Sequence, residues 1–427
     1  TAPSARLRRV DRCKRVLTVF RSNRNLALVV AARFISRLGG TAVWFIGTMG
    51  GAAYGFGATP TQLAIMSAIN GVAAIAGSLA AGVLIDRFGP RKVMIWAEIG
   101  SIAPVLGMMV APSLPLFVLG SALFSLFGVP TWTAGASFAP YITEGRKELE
   151  RANAYIETGS SIGFVLGPAV GALIKTTIGL PAVFPVMAVA AVLAAIAAWF
   201  TRIDETPRPH VSGAAWSEFT DGLRVAYTSR SLRYYILLGT AIWFGFGAFQ
   251  ALESLFYRDV VEVGVEWLGW MNTVFGAGLA VGAAMLPRLP QRLVSARGLT
   301  LMTVFVGLGS ILYVGSTELR FIAPGAFAWG FFVGAAEPLL RTLMHIDSPH
   351  EYVGRIIGTA QWHRSAGELI PLAFVPALAV AIGIQQTLIA GGLIVALAAV
   401  LGFGEARRID RSRPEIPADA DLAPESA

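Results

Sequence analysis

The stretch QWHRSAGEL, Gln361 to Leu369, places His363, Arg364 and Glu368 inside an apolar run that extends from Gly354 to about Gly383. Other apolar runs carry Arg33 and Arg37, Glu98, Glu157, Glu253, and Glu337 with Arg341. A charge at the centre of a bilayer costs about 2.5–3.5 kcal/mol on insertion scales, so those that persist are paired or line water. Two kinds of chemistry suit such groups: ion pairs that form and break as helices move, and side chains that take up and release a proton. Arg33 and Arg37, Glu337 and Arg341, and Arg364 and Glu368 are each four residues apart, so each pair shares a helix face. At a rise of ~1.5 Å per residue, Arg37 and Glu368 fall near mid-depth of their runs, and most of the other charges lie toward one end. Glu253 lies toward the opposite end. Glu98 is expected to pair structurally with the Arg87 region, and for Glu157 pairing and proton coupling are equally open. A free histidine titrates near neutral pH. Beside an arginine it is more often a hydrogen-bonded spacer, so Glu368 is the better proton carrier of the two.

The elements that must hold these groups follow from composition. Of 427 residues 55% are hydrophobic and 14% charged, with mean hydropathy +0.63. Soluble proteins carry about 25% charged residues, so a bilayer is the solvent that fits. Apolar runs of about 20 residues, long enough to cross the hydrocarbon, start near Asn25, Pro60, Val93, Leu114, Asn153 and Pro181, then Leu232, Trp267, Leu299, Phe321, Arg355 and Thr387. With the first residues inside, 27 of the 34 Lys and Arg fall in the tails and same-side connections. Lys175, Arg258 and Arg320 lie on the other side, and the remaining four lie within runs. This asymmetry predicts cytoplasmic termini. The net charge of +8 is therefore an orienting charge, and nucleic acid is excluded as a partner. Cys13 is the only cysteine, so no intramolecular disulfide forms.

The expected organisation is a basic tail over 1–24, a six-helix bundle over 25–201, a cytoplasmic linker over 202–231, a second six-helix bundle over 232–405, and a disordered tail over 406–427. The basic tail lacks the apolar core of a cleavable signal and reads either as an amphipathic helix on the inner leaflet or as a solvated segment. The linker holds a surface helix around AAWSEFTDGLRVAYTS. GVLIDRFGPRKV (82–93) matches GAAMLPRLPQRL (282–293), and RANAYIETGSSIG (151–163) matches RIIGTAQWHRSAG (355–367), in the order expected of a parallel repeat.

Two motifs suggest movement. In GVLIDRFGPRKVM, Gly82 would let a neighbouring helix approach and Gly89 would permit a tight turn. Asp86 and Arg87, with Arg91 and Lys92 behind them, would make separable contacts with helix ends and carboxylates. In GFVLGPAVGA, Gly163, Gly167 and Gly171 provide close packing, and Pro168 bends the helix. The first motif resembles the loop signature of the major facilitator superfamily. The second resembles that superfamily's antiporter motif, with Ala172 in place of the last glycine. RFISRLGG (33–40), NAYIETGSSIGFVLGPAVGALI (153–174), ALESLFYRDVV (251–261) and VGRIIGTAQ (353–361) are similar to its drug-efflux branch, which includes macrolide exporters and the mycobacterial Tap multidrug pump.

The resemblance implies an all-α membrane protein, with twelve transmembrane helices in two six-helix bundles rocking about a central cavity. It implies that spans 1, 4, 7 and 10 line that cavity. Trp44, Phe45, Trp132, Trp243, Phe246, Trp329 and Phe332 would then form an aromatic wall with Glu253 near its outer mouth, suited to bulky, amphiphilic or cationic compounds. Lipid-facing aromatics are the plainer reading of some of them. Arg33 or Arg37 would meet Glu337 or Glu368 across the bundles, and Glu157, Arg341, His363 and Arg364 complete that polar layer. The expected activity is export of drug-like amphiphiles by a monomer in the inner membrane of a bacterium. A proton gradient is the energy source, and no metal or cofactor is expected. Alternatives are an exporter of an endogenous siderophore or lipid, and a membrane-embedded enzyme using His363 and Glu368. Two departures bear on proton coupling: Gly40 stands where many members of the branch carry Asp, and the fourth span has no arginine.

Overall fold

The computed structural model describes residues 23–203, 215–349 and 351–412. Regular structure among them is helical throughout. Spans 1–6 are Arg24–Gly55, Pro60–Phe88, Pro90–Met109, Leu114–Ala136, Arg146–Thr177 and Leu180–Trp199. Spans 7–10 are Arg230–Val260, Glu266–Arg288, Ala296–Val314 and Leu319–Asp347, and span 12 is Ile384–Ser412. Span 11 is a pair, Val353–Ala373 and Val375–Ile382, bent by 43° at Phe374 between Pro371 and Pro376. The linker helix appears as Ala215–Thr228. The proposed amphipathic helix of the basic tail lies outside the described residues.

Local chemistry sets the helix ends. Thr59 and Gln62 form a reciprocal capping box with Pro60 in the first turn of span 2. Gly89 closes that span at φ +81°, a backbone conformation that favours glycine, and Pro90 opens span 3. The N-terminus of span 9 is capped from a distance. Asp410 accepts from the amides of Ala296 (2.8 Å) and Arg297 (3.1 Å) and from Arg297 Nε (2.7 Å). That carboxylate and the Arg230–Glu405 ion pair keep span 12 helical to Ser412, beyond the position 406 at which the sequence suggested a disordered tail.

Packing repeats between the halves. Span 1 packs on spans 5 and 6, span 2 on span 4, and span 3 on spans 4 and 6. Span 7 likewise packs on 11 and 12, span 8 on 10, and span 9 on 10 and 12. The halves meet along two seams related by the same repeat, span 5 with span 8 and span 2 with span 11, with further contact of span 2 on span 7 and of span 1 on span 8. Small residues allow both approaches. A Cβ built on Gly269 of span 8 would lie 2.5 Å from the Pro168 carbonyl oxygen and 2.9 Å from Ala172, and one on Gly71 would lie 2.7 Å from Leu369. Dispersion between close backbones is what holds helices together in lipid, where apolar burial adds little.

Polar contacts join the halves at one end. The other end carries the Asn25–Arg202 and Arg230–Glu405 contacts and is called the near end here. At the far end the Tyr54 hydroxyl donates to the Val263 carbonyl (2.8 Å), Arg258 donates to the carbonyls of Ala53 (2.5 Å) and Ala58 (3.1 Å), and Lys175 pairs with Glu266. Glu262, beside the Tyr54 acceptor, has φ +59°, which costs a non-glycine residue about 1–2 kcal/mol.

Gly269→Leu is expected to part the span 5–span 8 seam. A cysteine at Val263 should then react several-fold faster with an impermeant maleimide than in the parent background. Equal rates would mean that this seam does not close the far end.

Candidate functional site

The ionisable residues gather into two clusters, one in each half. In the first half Arg33 is 3% exposed, and its stem runs past Gly135, where no side chain obstructs it. Its guanidinium donates to the Trp132 carbonyl (3.0 Å) and to Ser160 Oγ (3.3 Å). Arg37 lies over two rings, 4.6 Å from the centroid of Trp132 and 5.0 Å from that of Phe164. Glu157 is exposed and within electrostatic reach of both arginines. Glu98 is 1% exposed, with Ser36 and Arg33 of span 1 as its polar neighbours. The expected pairing of Glu98 with the Arg87 region is therefore replaced by one with span 1, because residue 98 lies about two turns below the loop and at the depth of Arg33.

In the second half Trp243 is the hub. Its Nε1 donates to Glu337 Oε1 (2.6 Å), and the Arg364 guanidinium sits 3.4 Å from its ring centroid. Glu337, Glu368 and Arg341 all act electrostatically on Arg364. Glu337 is thus engaged by an indole, while Arg341, one turn on, is exposed. Arg33 and Arg37 are likewise occupied within their own half. The expected pairing of either with Glu337 or Glu368 is not made in this conformation.

His363 turns away from this cluster. It is buried, with Nδ1 2.8 Å from the Thr359 carbonyl and Nε2 2.6 Å from the Tyr227 hydroxyl on the linker helix. Adjacent residues on a helix diverge by about 100°, so Arg364 and His363 serve different neighbours. His363 is the hydrogen-bonded spacer, outside the polar layer.

Aromatic residues follow two patterns. Trp132 is 46% exposed, and Trp44 and Phe45 are half-buried. On span 7, Trp243, Phe246, Gln250, Glu253 and Tyr257 recur at spacings of three and four and so form one stripe. Trp243 stacks on Phe246 at 4.8 Å, and Phe246 on Trp329 at 4.8 Å. Trp329 is only 5% exposed and also touches Phe249, Phe275 and Tyr313. Phe332 stacks on Phe305 of span 9 at 4.8 Å. Trp329 thus builds the interior of its half, and Phe332 is half-buried against the exposed Phe305, so the expected open wall is not formed by them.

The loop motif keeps its turn but not all of its expected packing. A Cβ on Gly82 would meet nothing within 4 Å, whereas its repeat partner Gly282 presses on the Phe331 carbonyl. Asp86 and Arg87 are exposed, and Lys92 is exposed beside them. Arg91 donates to the Trp199 carbonyl (2.8 Å), tying the loop to span 6. Gly163, Gly167 and Gly171 form the span 1–span 5 seam. A Cβ on Gly163 would lie 2.6 Å from the Phe34 carbonyl, and Gly167 and Gly171 face Thr41 and Ile46. Pro168 lies on the opposite side, against Gly269.

Glu253 lies inside the second half, toward the far end. Its Oε1 accepts from the Tyr313 hydroxyl (2.6 Å) and from Asn272 Nδ2 (3.0 Å). Tyr313, Asn272, Ser160 and Tyr227 are hydrogen-bond partners of the candidate residues that sequence reasoning missed. A lone hydroxyl or amide in an apolar run is too weak a signal, and only the fold shows which charge it meets.

Trp243→Phe keeps a ring beneath Arg364 and removes the donor to Glu337. Thermal unfolding should show a loss of about 1.5–3 kcal/mol, the range for hydrogen bonds to charged groups. Trp243→Ala should cost more; equal losses would mean that the ring contact contributes nothing.

The family model described as Major Facilitator Superfamily matches residues 29–371. The multidrug efflux pump Tap of Mycobacterium tuberculosis is 25% identical over 353 residues, covering 77% of this chain and 81% of that protein. The enterobactin exporter EntS of Shigella flexneri is 24% identical over 379 residues, covering 84% and 87%. Among solved structures, the peptide transporter POT in complex with alafosfalin superposes with a TM-score of 0.74 at 14% identity, over 91% of this chain and 95% of that one. That likeness concerns the fold alone. A match over most of the chain, on a helical scaffold of repeated halves with charged groups inside its spans, makes this protein a member of the Major Facilitator Superfamily.

Proposed function

We propose that this secondary transporter exports lipophilic or amphiphilic, drug-like compounds in exchange for protons, by alternating access. One observation carries the reading. The halves are joined at the far end by a few separable polar contacts, Tyr54 with Val263, Arg258 with the Ala53 and Ala58 carbonyls, and Lys175 with Glu266. The Arg37–Trp132 and Arg364–Trp243 clusters lie nearer the other end, each within its own half. Rocking the halves would break the first set and bring the second set together. By the distribution of basic residues the near end faces the cytoplasm, so this conformation opens inward, with both termini inside a bacterial cell.

The cargo class follows from the surfaces available to it. Exposed Trp132 and half-buried Trp243 and Phe246 offer flat apolar faces, and Arg37, Glu157 and Glu368 offer charge at their margins. Such a surface suits bulky amphiphiles. The likeness to a protein named as a multidrug efflux pump supports a drug-like cargo, and the likeness to EntS supports a second reading, an endogenous amphiphile such as a siderophore or lipid. Members of the superfamily are transporters, so the alternative of a membrane-embedded enzyme acting through His363 and Glu368 is set aside.

Proteoliposomes with an imposed proton gradient separate the readings. Ethidium extrusion that dissipates the gradient supports drug–proton antiport. Extrusion of a catecholate siderophore with none of ethidium supports the endogenous cargo. Transport of either without proton movement would overturn the antiport. Asp86→Asn should slow the initial rate about tenfold, equivalent to ~1.4 kcal/mol on the barrier, with unchanged protein yield. An unaltered rate would remove the loop motif from the mechanism.

A further inference from the structure

The half-buried carboxylates of the second half are answered unevenly. Glu337 has the Trp243 N–H and Arg364 nearby. Glu253 has no cation beside it among the described residues. Its neighbours across spans 7, 8 and 9 are the Asn272 amide, the Tyr313 phenol and, behind Tyr313, the Tyr257 phenol at 2.8 Å. Among the described residues no Lys or Arg pairs with it. The Phe249–Trp329–Tyr313 aromatic stack packs beside it. Glu253 is itself the carboxylate that acts on both phenols, whereas Arg258, Asp259 and Glu266 act on Tyr54 at the far-end closure.

The donors are placed asymmetrically. Both reach Oε1, and the Asn272 amide is held by a second bond from Nδ2 to the Leu268 carbonyl (3.0 Å). Among the described residues Oε2 takes no donor, and the side chain is half-buried on the stripe that carries Trp243, Phe246 and Gln250. With no cation beside it, a half-buried carboxylate is favoured in a neutral form as its site closes, and the smallest group that neutralises it is a proton. With Oε1 occupied as an acceptor, the free lone pairs are those of Oε2.

We propose that Glu253 is a proton-binding site of this transporter, with Oε2 the protonated atom and Tyr313 and Asn272 the positioning residues that hold Oε1. In the step an O–H bond forms at Oε2 while one O–H bond of a hydronium ion breaks, leaving water and a neutral carboxyl group. The neutral form lets the aromatic stripe close over the site without burying a bare anion. The assignment deepens the proton-antiport reading and rests on it only for its physiological use. It also offers a carboxylate where the branch's Asp is replaced by Gly40.

Infrared difference spectroscopy of the full-length protein in liposomes, titrated with acid, tests the site without any transported compound. The parent should gain a protonated-carboxyl C=O band that Glu253→Gln loses, whereas Glu98→Gln keeps it. Tyr313→Phe should shift the band, because the C=O loses a hydrogen-bond donor. Identical difference spectra for the parent and Glu253→Gln would overturn the proposal. If Glu253→Gln fails to fold, as read by its thermal melt, an unshifted band in Tyr313→Phe overturns it instead. Failed ethidium transport with the band assigned to Glu253 would leave this site standing and remove only the cargo reading.

Discussion

A charge in hydrocarbon has to be answered, and most of what distinguishes this chain from a plain bundle of apolar helices follows from how each one is. Arg33 is answered by a carbonyl and a serine, Arg37 by two rings, and Arg364 by an indole whose N–H is given to Glu337. Each answer lies within the half that carries the charge. The charges inside the spans are therefore answered within their own halves, and an ion pair between the halves, Lys175 with Glu266, lies at the far end. A strong ion pair across the gap would lock them, since breaking a buried pair by separating its partners is costly.

Close approach of backbones supplies the complementary constraint. Glycines hold span 1 on span 5 through Gly163, Gly167 and Gly171, and span 8 on span 5 through Gly269. Span 5 thus packs one face inside its half and another across the seam, with Pro168 turned to the second. The two seams between halves, 5 with 8 and 2 with 11, are equivalent under the internal repeat, so the halves can tilt about an axis between them. At the far end the closing contacts engage backbone carbonyls as well as side chains, and the adjoining turn holds Glu262 in a conformation that favours glycine. Val265, 2% exposed, packs beside them on Gly50, so the closure combines an apolar contact with these separable polar ones.

The span positions and the alternation of basic loops were readable from hydropathy and charge, since both are sums over many residues and tolerate local error. The bend in span 11 at Phe374 was not anticipated in the apolar run, although Pro371 and Pro376 flank it. Gly82 and Gly282 occupy matching places in the repeat, yet only Gly282 is packed, because burial depends on the neighbour and not on the motif. The aromatic residues of span 10 showed the same limit. Trp329 reads equally well as a cavity wall or as core, and it is core because Phe246, Phe249 and Tyr313 converge on it from spans 7 and 9.

Composition, run length and the sign of loop charge by themselves determined that this chain crosses a membrane many times, as two related halves with ionisable groups inside. Those properties are local or additive along the chain. Only the tertiary structure decided that His363 faces the linker helix, that Glu98 belongs with Arg33, and that Glu253 has two donors and, among the described residues, no cation. Partnerships of that kind depend on the rotation of one helix relative to another. A rotation of about 100° exchanges one residue for the next, and nothing in the spacing along a single helix specifies it.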